Sequence, residues 1–142
     1  DHADAPTFQG ANLKGVRILA RMDGANFSGA DLSGASIGPD ETTMEAGMAP
    51  STRMMSANFS GANLAGADIR NIDFTFARFT GANLRGAKLR ELNLTNTDFS
   101  GADLTGADIS GSNLQSAKFA GTKGLESMIG LDMAKNFDTT QR

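Results

Sequence analysis

The side chains most suited to chemistry are four methionines, Met44, Met48, Met54 and Met55, crowded into one stretch. Thioethers are soft ligands that suit Cu(I), and His2 near the amino terminus could add a nitrogen. Methionine also fills irregular gaps over an exposed aromatic ring. With no Cys, no second His and no dense Met repeat, the packing reading is preferred. No metal and no cofactor are expected, and those four residues stand as the Cu(I) candidates. The absence of Cys also removes disulfides, thiolate zinc sites and cysteine nucleophiles. The Asp residues recur at fixed spacing without a basic partner in a pocket, whereas general acid–base chemistry needs perturbed, positioned groups. The chain is therefore not expected to be an enzyme. Calcium takes ~6–8 converging oxygens. Recurrent Asn and Asp on separate columns serve turns and neighbouring backbone instead.

What must position these residues is a repeat. The chain has 142 residues, with 13 Lys and Arg against 16 Asp and Glu. That is one domain's worth, too evenly charged for a general nucleic-acid binder or an acidic tail. Nothing approaches the ~18 apolar residues of a membrane helix. Scattered, its 17 Gly would suggest disorder. They are periodic. From Ala57 to Gly121 the chain reads as 13 five-residue units: ANFSG, ANLAG, ADIRN, IDFTF, ARFTG, ANLRG, AKLRE, LNLTN, TDFSG, ADLTG, ADISG, SNLQS and AKFAG. Upstream, PTFQG, ANLKG, VRIL, ARMDG, ANFSG, ADLSG and ASI repeat the pattern, the unit at Val16 having lost one residue.

Period five fits neither a helix nor a flat strand. A fixed period of this kind means a solenoid, each unit stable only against its neighbours. Phe recurs at Phe59, Phe79, Phe99 and Phe119, every 20 residues. A coil is therefore four units with four faces, and about five coils make a rod roughly 24 Å long. The third residue of each unit points inward. The expected core is a Phe59, Phe79, Phe99, Phe119 ladder beside Leu64, Leu84 and Leu104, followed by Ile69/Leu89/Ile109 and Phe74/Leu94/Leu114. The first residue also points inward, hence Ala. The second and fourth face solvent, and the fifth turns the corner, hence Gly.

The pattern resembles the pentapeptide repeat family, whose unit is Ala, Asp or Asn, Leu or Phe, then two variable residues. ADLSG at 30–34 and ADLTG at 102–106 match it outright. The resemblance covers residues 6–121 and implies an all-β, right-handed quadrilateral β-helix.

Two segments leave the repeat. Residues 38–56 contain no recognisable unit and are expected to form a loop at one corner, with Ile37 on the fourth face and Phe59 opening the next coil. Bulky Val16, Ile72 and Leu92 at first positions are placed on that fourth face. Phe76, where Gly is usual, is placed at the same corner, with some of Met44, Met48, Met54 and Met55 packing on its ring. This gives the candidate interaction corner. Residues 122–142 space Leu125, Met128, Ile129, Met133 and Phe137 roughly as on a helical face, read as one or two short helices capping the solenoid. The same residues could form a dimerisation surface, so the chain is a monomer or a dimer through its C-terminal end. The N-terminal end has no comparable cap. The division expected is a β-helix over 1–121 and a cap over 122–142.

These features favour a non-catalytic structural or protein-interaction solenoid with an unidentified protein partner. Some members of the family protect DNA gyrase as acidic, DNA-shaped rods. Here residues 57–119 hold six basic and six acidic side chains. Their expected columns, Asn58, Arg78, Asp98, Lys118 and Asp68, Lys88, Asp108, alternate in sign and cancel the acidic field a mimic needs. Gyrase modulation is therefore the alternative, and a Met-loop Cu(I) protein the second alternative. Arg70 and Arg90, with Lys88 and Arg85 nearby, form the only basic patch. It is balanced by Asp68, Glu91 and Asp108 and lacks aromatics to stack bases, so no nucleic acid is expected. A start at Asp1 fits a mature exported chain or a trimmed one. Pentapeptide repeat proteins include many of cyanobacterial origin, some in the thylakoid lumen or periplasm, and an extracytoplasmic bacterial location is the expectation.

Overall fold

The computed structural model describes residues 5–40 and 52–142. Each unit makes one wall segment and one corner. Along the wall, second-position residues pair in parallel with those one coil away. On the first face the ladder runs Thr7, Asn26, Asn58, Arg78, Asp98, Lys118 and Gln141. Hydrogen bonds alternate in direction: Phe59 N–H donates to Arg78 C=O at 2.7 Å, and Arg78 N–H to Ala57 C=O at 2.9 Å. At the corner, Ala62 N–H returns to Phe59 C=O at 3.0 Å, closing a turn that demands positive φ at the fifth position. On the third face the pairing lengthens into one parallel sheet, β1 (Arg17–Ile18), β2 (Ser36–Ile37), β3 (Asp68–Arg70) and β4 (Lys88–Arg90), in that order.

The ladders correct the placement of the insert. Ile37 pairs with Ile18 and Ile69 on the third face, not the fourth, and Val16 belongs to the same third-face unit. The fourth-face ladder runs Arg21, Arg53, Asp73, Asn93, Asn113. Thr52–Ser56 is therefore a wall unit, and the departure from the repeat is confined to the stretch between Ile37 and Thr52. Sequence pattern missed this unit because Thr and Met stand where Ala and Leu or Phe are usual. Its Met54 is fully buried in the core. At the exit corner Gly38 lies so close to β3 that a Cβ would meet the Arg70 carbonyl. Gly38 N–H donates to Ile18 C=O at 3.0 Å. At later first positions Thr97, Ser112 and Thr122 donate their hydroxyls to a carbonyl one coil back. Thr52 makes no such contact, and its Oγ1 is buried without a partner among the described residues.

Third-position side chains fill the interior. Phe8, Phe27, Phe59, Phe79, Phe99 and Phe119 stack with centroids 4.8–5.3 Å apart, a separation imposed by the strand spacing. Phe74, from the fourth face, meets Phe59 and Phe79 edge-on at 5.8 and 5.4 Å, the geometry ring quadrupoles favour. Phe59, Phe79, Phe99 and Phe119 and Leu64, Leu84 and Leu104 are all buried. In the first coil Phe8, Leu13 and Met22 are only half-buried and border an apolar recess; Phe8 covers Phe27 while Pro6 stays exposed.

The C-terminal segment covers the core with short 3-10 turns rather than with one regular helical face. Lys123, Ile129, Lys135 and Gln141 continue the ladders on the second, third, fourth and first faces. The chain between them forms three single 3-10 turns, Leu125–Ser127, Leu131–Met133 and Phe137–Thr139. The period has become six: GLESMI, GLDMAK, NFDTTQ. Leu125, Leu131 and Phe137 pack onto the core, together with Met128 and Ala134. Ile129 and Met133, expected on the same apolar face, are instead 57% and 62% exposed. The described residues thus wind six coils rather than five, about 29 Å of rod. The turns need close approach: a Cβ on Gly124 would come within 2.5 Å of Thr105 backbone atoms, whereas one on Gly86 meets nothing within 4 Å. Both have positive φ. Gly86→Ala should cost about 1–2 kcal/mol from backbone conformation alone. Gly124→Ala should cost at least about twice that by denaturant unfolding, and equal losses would refute the close-packed final coil.

Candidate interaction surface

Second-position Asn and Asp side chains are committed to the wall. Oδ1 of Asn26, Asp31, Asn58, Asn63, Asp73, Asp98, Asp103 and Asp108 accepts the N–H two residues on, at 2.9–3.1 Å. This Asx geometry turns each carboxylate along its own strand. Two close ion pairs join a second-position Asp to a fourth-position Arg: Asp103, held in the Asx turn, with Arg85 at 3.1 Å, and Asp68, which Arg70 clamps instead, at 2.9 Å. Arg78 and Asp98 are register partners on the first-face ladder, but the pairing that Asx geometry favours is diagonal. Signs still alternate along the third face through Asp68, Lys88 and Asp108.

The corner looks different from its expected form. The insert leaves between the third and fourth faces, beside Asn71. Phe76 turns the next corner, between the fourth and first, in the column of Ser56, Asn96 and Ser116. Phe76 has φ 63° and is 59% exposed. Met54 lies inside the wall and Met55 outside, as successive strand positions must, so the two cannot converge on Phe76 or on one copper ion. Met44 and Met48 lie outside the described residues. Among the described residues no cluster of three His, Cys, Asp or Glu is placed to hold a metal ion.

Both sides of the insert are tied to neighbouring coils. On the exit side, Arg17 reaches Asp40 at 3.1 Å, and Asn71 Nδ2 donates to Pro39 C=O at 3.3 Å. On the return side, Asp23 accepts Arg53 Nε at 2.9 Å and, through its other oxygen, Met55 N–H at 2.9 Å. Arg53 cannot make the Asx contact its position calls for, and Asp23 supplies it from the coil before. The hydrogen bond to Asp23 raises the Arg53 pKa. No sequence signal marks Asp23 for this role, because the unit it serves was itself unrecognised.

The described helices are single turns, and none is long and apolar enough to cross a membrane. A four-faced solenoid of stacked five-residue units with Asx-tied walls defines a class. A family model for pentapeptide repeats matches residues 19–37, 57–95 and 82–121 in eight copies. The chain belongs to the pentapeptide repeat family. Similar solved structures include a pentapeptide repeat protein, Rfr23, from the cyanobacterium Cyanothece 51142, at 24% identity over 84% of this chain and 88% of that one, TM-score 0.43. Another is alr5209 from Nostoc PCC 7120, at 25% identity over 98% and 86%, TM-score 0.35. A trypsin-treated form of QnrB1, a plasmid-mediated fluoroquinolone resistance protein, is 21% identical over 94% and 79%, TM-score 0.38. Comparison with curated proteins gives no match.

The Asx carboxylates make the fold acid-sensitive. The Thr105 hydroxyl and N–H, aided by Arg85, lower the Asp103 pKa to about 2. Ser33 lowers Asp31, and Arg70 lowers Asp68. At Asp108 burial pushes upward, but Ser110, Arg90 and Lys88 bring the net shift down. A carboxyl with a depressed folded-state pKa stabilises the fold above its unfolded value and loses that contribution as pH falls through the folded one. Thermal stability should hold down to about pH 4 and fall toward pH 2. Asp103→Asn keeps the Asx turn and should flatten part of that acid slope in melts from pH 6 to 2. An unchanged slope would remove Asp103 from the account.

Proposed function

We propose that the chain is a non-catalytic protein-interaction module whose working corner centres on Phe76. One observation carries this reading: a bulky aromatic residue occupies a left-handed backbone position and is 59% exposed. A side chain with a Cβ costs about 1–2 kcal/mol there, and an exposed ring recovers little of that by burial. Ser, Asn and Gly serve the other corners of this column. Aromatic side chains dominate the energetics of protein interfaces, so a partner that buries this ring would offset both costs. The wall beside it is polar and rigid and needs no rearrangement to dock. The unit at 57–121, with the Met54 unit before it, forms the scaffold, and the final coil closes one end.

The reading as a DNA-like gyrase modulator has weaker support. The walls carry opposite charges in register and in diagonal pairs, and a potential built this way decays within a few Å of the surface. Supercoiling assays are expected to show neither inhibition nor protection.

Phe76→Gly should raise stability by about 1 kcal/mol in denaturant unfolding and abolish recovery of the partners that the wild-type chain captures. A variant lacking residues 41–51 separates this corner from the insert. If Phe76→Gly recovers the same partners as wild type while the shortened variant does not, the working surface is the insert and not Phe76.

A further inference from the structure

The third face carries an electrostatic arrangement that the fold does not require. Arg70 and Arg90 are register partners on β3 and β4, one strand spacing apart. Like charges directly opposite each other are destabilising. Arg70 is relieved within its own strand, where Nε and Nη2 each donate to the Asp68 carboxylate at 2.9 Å. Arg90 has Lys88 at the equivalent position, so this clamp is missing. Its Nε is buried and donates to no acceptor among the described residues. The carboxylate oxygen paired with it, Asp108 Oδ2, stands 4.0 Å away, beyond hydrogen-bond reach. Asp108 is held where it is, because its Oδ1 accepts both the N–H and the hydroxyl of Ser110.

Arg90 lines a groove of about 410 Å³ shared with Arg70, Glu91, Asp108 and Met133. About a third of the Arg90 side chain is open to solvent. Glu91 lies across the corner over Gly111, and Met133 offers an exposed apolar wall. An unclamped guanidinium, a like-charged neighbour already neutralised and a thioether wall describe a receptor lacking one acidic group.

We propose that this groove binds a carboxylate, held by Arg90 through the paired hydrogen bonds that Asp68 gives Arg70. A planar monoanion matches the guanidinium fork. Glu91 and Asp108 flank the groove and repel a phosphate dianion more strongly than a carboxylate. Met133 covers the methylenes beside the acid. The same chemistry could come from a small dicarboxylic acid or from an acidic side chain on a protein.

The test follows the Arg90 Nε–Hε resonance in 15N-labelled protein during titration with glutarate, with an acetylated, amidated Gly-Glu-Gly peptide, and with inorganic phosphate. Glutarate or the peptide should shift it saturably, at least about tenfold more tightly than phosphate. Tighter peptide binding assigns the carboxylate to a protein side chain, and tighter glutarate binding to a small acid. Lys88→Asp restores the missing clamp within the strand and should weaken binding at least about tenfold, at a cost in thermal stability because it aligns acidic side chains with Asp68 and Asp108. Lys88→Thr removes the lysine charge without adding a carboxylate and should bind within about threefold of wild type. No saturable shift, equal response to phosphate, or equal binding in Lys88→Asp would overturn the proposal.

Discussion

The whole molecule depends on the spacing of parallel strands, ~4.8 Å. Once second-position residues pair in register, every side chain sits one such step from its counterpart in the next coil. An interior built this way admits only residues that pack well against copies of themselves. Phenylalanine meets the condition by stacking face to face at 4.8–5.3 Å, and Leu and Ile meet it by nesting. The first position faces the narrower inner edge of the wall and takes Ala at most places. Where Thr or Ser replaces it, the hydroxyl must find a carbonyl one coil back. It does so at Thr97, Ser112 and Thr122, and fails at Thr52, beside the insert.

The same spacing governs the outer surface. Charges stacked at one strand step would repel if columns were uniform. The Asx contact turns Asp103 toward its own strand, and the partner within its reach is the fourth-position Arg85; at Asp68 the Arg70 side chain takes the place of the Asx contact. Surface neutrality therefore arises from turn chemistry as much as from composition. Exposed pairs of this kind contribute little individually, but they set the pattern of potential that any partner meets. The two places where the pattern fails, the ring of Phe76 and the guanidinium of Arg90, lie on opposite edges of the fourth face.

The repeat from Ala57 to Gly121 was legible because each unit repeats the same inside–outside sequence and Phe marks every fourth unit. The core ladders follow from that alone. Thr52–Ser56 was not legible, since TRMMS shares neither the Ala nor the Leu or Phe of its neighbours, and only its pairing with Arg21 and Asp73 reveals it. Missing it shifted Ile37 and the exit of the insert by one face, to the Phe76 corner, and put Met54 on the surface rather than in the core. The final coil was misread for a related reason. Leu125, Met128, Ile129 and Met133 satisfy a helical spacing locally. A period of six with Gly at the start of two units, however, lets the chain turn corners as 3-10 turns and keep pairing. The Arg70 and Arg90 column was visible as a basic patch. The missing clamp at Lys88 and the groove beside it needed side-chain geometry.

The change from five to six residues also alters what the last described coil presents. A seventh five-residue coil would present a fresh ladder of inward Leu and Phe to solvent. The longer units instead spend their extra residue on a turn that brings Leu125, Leu131 and Phe137 over the last core layer. Gly124 and Gly130 permit the approach, since a Cβ on either would collide with the coil before. The Arg142 guanidinium lies 4.3 Å from the centre of the Phe137 ring, over the apolar surface of the last described coil. The final coil thus continues the backbone pairing while ending the side-chain ladder. That separation of the two functions lets the C-terminal end close without a helix, whereas the half-buried Phe8, Leu13 and Met22 of the first coil have no equivalent cover among the described residues.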